Sequence, residues 1–326
     1  MKAVVVSERR EPAFGEVAAP APLPGQVLLD VDHCGICGSD LHTKTFDIYQ
    51  VGVVMGHEFS GRVAALGAGV EGWSVGDRVC VNPNGATCGR CAFCLRGQRN
   101  LCPEILRNSI GACTNGGMAP SVAVPAVTLH RIPDAMTGAQ AAWVEPTAVA
   151  LRAVRRSGFQ AGDSAIVFGA GPIGLLVLEV LKGAGADEVT VVEPNADRRR
   201  IAERGGAARA VDPTALDLRT VFPDPADAPA FAFDCVGSAA ILQSAISILR
   251  PQGAVTVVGM AQSARPFNSQ ELVLKEIALL GSFIYGDEFD LAIRLIAGGK
   301  VDVLQYTSDI RPVDAARTSI SELIAG

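Results

Sequence analysis

The sequence predicts an α/β protein of two domains, a mostly β half followed by a doubly wound parallel sheet. Three observations predict it. Near Asp134 the hydrophobic pattern changes from strand-like alternation to helical spacing. Three glycines, Gly169, Gly171 and Gly174, fall between a short apolar strand and an apolar helix. Four cysteines, Cys88, Cys91, Cys94 and Cys102, crowd into a turn-rich stretch of the first half. The 326 residues suffice for two cores, and a hydrophobic share of 49% marks a globular chain.

MKAVVV opens the chain as a strand. VLLDVDHC alternates apolar and polar residues, the sign of a half-buried strand, and FSGRVAALG and DRVCV read alike. The cysteine stretch NPNGATCGRCAFCLRGQRNLCP follows, then a strand near SVAVPA. Beyond Asp134, QAAWVEPTAVALRAVRR has helical spacing. SAIVFG is a short apolar strand, and PIGLLVLEVLKGAG is an apolar helix ending in glycine. EVTVVE, AFAFDCVG and GAVTVVG continue as strands, with helices at NADRRRIAERGG and AAILQSAISILR. FPDPADAPA is a Pro-rich loop, LLGSFIYG a late strand and EFDLAIRLIAGG a helix. Such strand–helix–strand repetition implies a parallel sheet with helices on both faces.

The cysteines are spaced C-x2-C-x2-C-x7-C. Four thiolates this close can share one tetrahedral zinc, and a closed four-sulfur shell leaves no position for substrate. An iron–sulfur cluster is the second reading, but the bacterial ferredoxin run needs three residues before its fourth cysteine, where this chain has seven. Disulfides are the third. The start MKAVVVSERR lacks an apolar signal-peptide core, so a reducing cytoplasm is expected, where nine cysteines point to metal first. A net charge of -6 argues against a nucleic-acid partner. No apolar run reaches the roughly 18 residues of a membrane span.

G-x-G-x-x-G alone is a weak signal; its place after SAIVF and before a helix gives it weight. The first glycine permits the turn, the second admits a pyrophosphate, and the third lets helix meet strand. Glu193 follows nineteen positions after Gly174, at the end of the second strand. A carboxylate there accepts from the adenosine ribose hydroxyls and repels a 2′-phosphate, which favours NAD over NADP. Arg198, Arg199 and Arg200 offer either an anion site or a solvated helix face. Upstream, Cys34 and Cys37 precede His42, and Gly56-His57-Glu58 follows. Cys37, His57 and a carboxylate make the mixed shell that catalytic zinc uses. A redox pair of Cys34 and Cys37 is disfavoured, because the strand feeding it is of the wrong type for thioredoxin.

CGICGSDLH, GHE, the four-cysteine lobe, WVEPTAVALRAV, the glycine loop, FDCVG and GSFIY occur in that order. In these the chain resembles the medium-chain zinc-dependent alcohol dehydrogenase family, especially its polyol, butanediol and threonine dehydrogenase branch. The resemblance implies a GroES-like catalytic domain at 1–145 and 287–326, with a zinc lobe near 84–108. It implies a Rossmann NAD-binding domain at 146–286. Cys37 and His57 would hold a catalytic zinc, with Glu145 as third ligand, directly or through water, and Glu58 exchanging on and off. Cys88, Cys91, Cys94 and Cys102 would hold a structural zinc, making two per chain. Asp40 would orient His57. Ser39 and His42 would relay the alcohol proton to solvent through the nicotinamide ribose. Gly169, Gly171, Pro172, Ile173, Gly174, Glu193, Arg198 and Val236 would contact the cofactor. The implied reaction moves a hydride between a secondary alcohol, diol or polyol and NAD. A threonine 3-dehydrogenase-like activity or an impaired NAD- and zinc-binding relative are the alternatives. A zinc-free reductase of the same fold would lack the cysteine lobe, and a zinc-knuckle binding module would be basic. A homodimer or homotetramer paired through LLGSFIY is expected.

Two local features compete with these roles. Ser39 is also a candidate helix N-cap before DLH, and Glu145 a favourable charge at a helix start before Pro146. Three features depart from the family pattern. Phe283-Ile284-Tyr285 stands where sorbitol-type relatives have F-R-Y, and Ala119-Pro120-Ser121 where many have A-E-Y. The segment Thr43–Val54 is expected to line the substrate pocket with Phe46 and Tyr49 rather than a charged clamp. Relatives finish with a further short strand after the helix at SISELIAG, so the expectation is either a missing edge strand or a shortened chain.

Overall fold

In the computed structural model, which describes residues 1–44, 48–224, 226–260 and 268–325, the chain folds into two units. The first comprises Met1–Glu145, Phe289–Ala297 and Thr307–Gly326. Its strands are β1 (Lys2–Val6), β2 (Pro12–Glu16), β3 (Gln26–Cys34), β4 (Phe59–Leu66), β5 (Arg78–Val81), β6 (Ser121–Pro125) and β7 (Leu129–Arg131). Short helices α1 (Gly38–Leu41), α2 (Ala92–Leu95) and α3 (Gly138–Ala142) interrupt them. β1 and β2 form an antiparallel pair. The other five make an antiparallel sheet in the order β6-β3-β4-β5-β7. Every second residue turns inward, so Val27 and Leu29, Val79 and Val81, and Val122 and Val124 meet Phe59 and Val63 in one core. Each such side chain contributes about 1.5–3 kcal/mol on burial. The pairing of Cys34 with Phe59 brings the end of β3 beside the start of β4. The loops that follow β3 and precede β4 therefore leave from one place.

The second unit comprises Pro146–Glu288 and Gly298–Tyr306. Helix α4 (Val144–Ser157) leads into it. Then β8 (Ala165–Phe168), α5 (Pro172–Gly183), β9 (Val189–Val192), α6 (Ala196–Arg204) and β10 (Arg209–Val211) make one half. The elements β11 (Phe231–Asp234), α7 (Ala239–Ile248), β12 (Ala254–Val257), α8 (Ser269–Leu274) and β13 (Ala278–Gly281) make the other. The six strands are parallel in the order β10-β9-β8-β11-β12-β13. Counted from β8 this is 3-2-1-4-5-6, the Rossmann order, whose direction reverses between β8 and β11. All four residues of β8 and of β9 are buried, as strands covered on both faces must be. No helix among the described residues is long and apolar enough to cross a membrane.

Four expectations need correction. The helical stretch around WVEP is two helices, α3 and α4, parted at Trp143. Pro146 has no N–H for the carbonyl of Ala142, and the Trp143 indole donates instead to Thr307 Oγ1 at 3.0 Å. The late strand stops at Gly281, because Ile284 at φ +40° cannot continue an extended run. Asp287, Glu288 and 298–306 group with the second unit rather than the first. Buried Glu288 binds Arg152 at 3.3 Å and Arg155 at 3.2 Å, and the Tyr306 hydroxyl donates to Glu179 at 2.7 Å. Cys37, not Ser39, caps α1, since Ser39 lies inside its first turn.

Candidate active site and metal centres

The cysteine lobe is built on turns. Cys91 caps α2, Cys94 lies within it, and Cys102 follows a turn of 3-10 helix at Arg99–Leu101. One Sγ from each of Cys88, Cys91, Cys94 and Cys102 lies within 4.8 Å of all the others. Cys88 and Cys94 Sγ are 3.9 Å apart. Tetrahedral zinc–sulfur bonds of about 2.3 Å place sulfurs about 3.8 Å apart, whereas a disulfide needs about 2.05 Å. All nine cysteines are free thiols. The backbone N–H groups of Arg90 and Cys91 point at Cys88 Sγ and draw its pKa down to about 6, towards the thiolate that a metal needs. The donor set fits one zinc.

The second cluster lies where β3 ends and β4 begins. Cys37 caps α1 just past β3, and His57 and Glu58 sit immediately before β4. One ligand atom from each of these three lies within 4.8 Å of the other two. Asp40 sits beneath them, fully buried. Its Oδ2 accepts the Cys37 N–H at 3.0 Å, its Oδ1 accepts the Tyr49 hydroxyl at 3.0 Å, and Oδ1 lies 3.6 Å from His57 Nδ1. With a carboxylate on the Nδ1 side, Nε2 is the ring nitrogen that a metal would use.

The electrostatics of this cluster favour a cation. Loss of solvent pushes the Cys37 thiol and the Asp40 carboxyl up. Burial also raises Glu58, and the charges of Glu145 and Asp40 add to it. For His57, burial disfavours the imidazolium, but the charges of Asp40 and Cys37 outweigh it and the pKa is raised well above the ordinary value. Several acids thus crowd one imidazole, and a divalent metal would relieve them. Glu145 is buried in the first turn of α4, close enough for its charge to be felt at His57 and Glu58. The converging triad, however, contains Glu58 and not Glu145.

Ser39 Oγ, half-buried, lies 2.8 Å from the Tyr49 hydroxyl. His42 is exposed at the end of α1 and lines a cavity of about 690 Å³ with Leu41, Lys44 and Arg317. Tyr49 is not a lining aromatic. It is 2% exposed, and its ring packs among Val4, Val6, Met55 and Met118. Sequence reasoning missed this, because the partners of its hydroxyl depend on how a loop returns. Phe46 lies outside the described residues.

The glycine loop joins β8 to α5. Gly169 takes φ +95°, a turn open to few other residues. A Cβ on Gly174 would lie 1.8 Å from the Gly169 carbonyl oxygen, so helix and strand meet only through glycine. Gly171 caps α5 and has open space on its Cβ side; Pro172 opens the helix and Ile173 follows half-buried. Free N–H groups at this end suit a pyrophosphate. Buried Glu193 follows β9 directly; its two oxygens accept the Ala170 and Asn195 N–H groups, each at 2.9 Å. Val236, in the FDCVG stretch that the sequence reading singled out, is half-exposed on a turn beside Gly169. Asp234 Oδ1 holds that turn by accepting the Val236 and Gly237 N–H groups at 2.9 and 2.7 Å. Arg199 pairs with Asp212 and Arg200 with Asp197, while Arg198 is exposed.

A glycine loop at the reversal point of a doubly wound sheet is a dinucleotide-binding arrangement. A thiolate–imidazole–carboxylate triad is a catalytic metal donor set. The class these define is a metal-dependent dehydrogenase. Residues 23–134 match the alcohol dehydrogenase GroES-like domain, and residues 172–298 match the zinc-binding dehydrogenase family. The chain belongs to the medium-chain zinc-dependent alcohol dehydrogenases and is an oxidoreductase. It is similar to a 2-dehydro-3-deoxy-L-galactonate 5-dehydrogenase of Pseudoalteromonas atlantica, with 38% identity over 90% of this chain and 87% of that protein. An (R,R)-butanediol dehydrogenase of Bacillus subtilis is 36% identical over 92% of this chain and 89% of its own length. The solved structure of an Escherichia coli alcohol dehydrogenase complexed with NADH has a TM-score of 0.92 at 28% identity, covering 99% of this chain and 95% of that one.

Proposed function

We propose that this protein oxidises a small secondary alcohol, diol or modest polyol to the ketone, with NAD taking the hydride and one proton released. The observation that carries the reading is the convergence of Cys37, His57 and Glu58 over buried Asp40. Zinc bound there would make a substrate hydroxyl acidic near neutral pH, and NAD would supply the hydride acceptor. Cys37 and His57 hold the metal, with Glu58 or Glu145 as the exchangeable carboxylate. Asp40 keeps His57 Nε2 directed at the metal. Ser39 Oγ takes the hydroxyl proton, and exposed His42 is where it leaves for solvent.

Buried Glu193 disfavours a 2′-phosphate and supports NAD over NADP. A second zinc in the cysteine lobe is structural, and its free thiols suit the cytoplasm. β13 is an edge strand with Leu279 exposed at 41%, which supports pairing of subunits there into a homo-oligomer. The uncharged Ile284 and the relative named as a butanediol dehydrogenase support a small diol-like substrate without an obligatory charge clamp.

Elemental analysis and absorbance at 340 nm test this together. The wild type should carry two zincs per chain and form NADH with members of a panel of diols, polyols, threonine and simple alcohols. Cys37→Ala should lose one zinc and all turnover. Full turnover with one zinc gone would sink the catalytic assignment.

A further inference from the structure

We propose that Tyr49 is a positioning residue that holds the Ser39 hydroxyl ready to accept a proton. This rests on the reading above, in which Ser39 receives the alcohol proton. The Tyr49 hydroxyl lies 2.8 Å from Ser39 Oγ and 3.0 Å from Asp40 Oδ1. A phenol has one proton to give. An ionised Asp40 only accepts: Oδ2 already takes the Cys37 N–H, and Oδ1 faces His57 Nδ1. The Tyr49 proton is therefore committed to Asp40. What remains for Ser39 is a lone pair on the phenol oxygen, so Ser39 donates to Tyr49. Its own hydrogen is turned inward, and both its lone pairs stay available to an incoming hydroxyl. Without Tyr49 the Ser39 hydroxyl turns freely, and in some rotamers it points a hydrogen at the substrate oxygen, the wrong polarity for accepting.

Packing alone does not account for a tyrosine here. The ring fills a core of Val4, Val6, Met55, Met118 and Ile320, which phenylalanine would fill equally. The hydroxyl is what those neighbours do not need, and it is the part that touches Ser39 and Asp40. The residue is also held from both sides. Arg10 donates to the Tyr49 carbonyl at 3.3 Å, and the next residue, Gln50, donates its N–H to Ala112 O at 2.9 Å. When the alcohol proton arrives on Ser39 Oγ, the serine O–H turns away from Tyr49 and passes its own proton outward towards His42, so one O–H bond forms and one breaks at Ser39 while the Tyr49 O–H stays intact. Burial and the Asp40 charge push its phenol pKa above the ordinary value, so it keeps its proton.

The test is a double-mutant cycle of Tyr49→Phe and Ser39→Ala on the zinc-loaded enzyme, with an alcohol that the wild type oxidises. Tyr49→Phe should keep both zincs and the NADH affinity, lower kcat about tenfold and move KM by less than about twofold. The solvent deuterium isotope effect on kcat should rise, because proton transfer becomes more limiting. In a Ser39→Ala background, Tyr49→Phe should cost nothing further. An unchanged kcat, a loss that tracks lost zinc, or full additivity of the two substitutions would each overturn the positioning role. Unchanged turnover in Ser39→Ala alone would instead overturn the assignment of Ser39 itself, whatever Tyr49→Phe does.

Discussion

At the scale of single residues, acidic groups carry two different proposed roles. Cys37, His57 and Glu58 converge over Asp40 where we propose a zinc, and Glu193 is buried after β9 where we propose that it repels a 2′-phosphate. Glu193→Gln keeps a carbonyl acceptor for one of the two backbone N–H groups and removes the repulsion. The ratio of kcat/KM for NAD over that for NADP should then fall by about tenfold, measured by initial rates with both cofactors. An unchanged ratio would move the discrimination elsewhere, with Arg198 the next residue to replace. The clustering of Cys37 with His57 and the place of Glu193 after β9 were legible in the sequence because their spacing relative to strands and glycines carries the information. Tyr49 was not. Its hydroxyl is invisible to hydropathy, and its contacts with Ser39 and Asp40 arise from a loop that no period encodes.

At the scale of elements, the strand-to-helix turn after β8 separates two jobs that glycine performs. At Gly174 the backbones of helix and strand touch, whereas at Gly171 the space is open. Gly174→Ala should therefore destabilise the protein without any cofactor present, by about 1–3 kcal/mol, seen as a lower melting temperature. Gly171→Ala should leave that temperature nearly unchanged and weaken NADH binding, seen by fluorescence titration. Equal thermal effects of the two would contradict the division. The long apolar strands and helices of both halves were legible from their periods. β10, three residues long with exposed Arg209, was not, because so short a run has no alternation to detect. The break at Trp143 was legible only in hindsight of Pro146, since the apolar spacing runs through it unchanged.

At the scale of the whole molecule, both clusters that could hold a metal belong to the first unit, and we propose chemistry at only one of them. Cys91→Ser should lose one zinc and on the order of 4 kcal/mol of stability, while the properly folded fraction keeps its kcat. Metal analysis, thermal melting and active-site titration together check this; a kcat that falls with the lobe zinc would give the lobe a direct catalytic part. The two-domain division was legible from the change of period near Asp134. Its finer edges were not, because they follow Glu288 and Tyr306 to ion-pair and hydrogen-bond partners far along the chain.

The first unit is discontinuous. It opens with β1, is interrupted by the residues of the second unit, and is completed by Thr307–Gly326. Lys2 Nζ meets Asp314 Oδ2 at 2.7 Å, closing 312 residues of separation. A ribosome therefore delivers all seven proposed zinc ligands other than Glu145 in the first third of the chain, long before the segment that seals their unit. During synthesis the thiol-rich half would then wait for the nucleotide-binding half to be made. Early capture of metal by the nascent cysteines would shield them through that interval, and closing so long a loop makes the last step of folding slow.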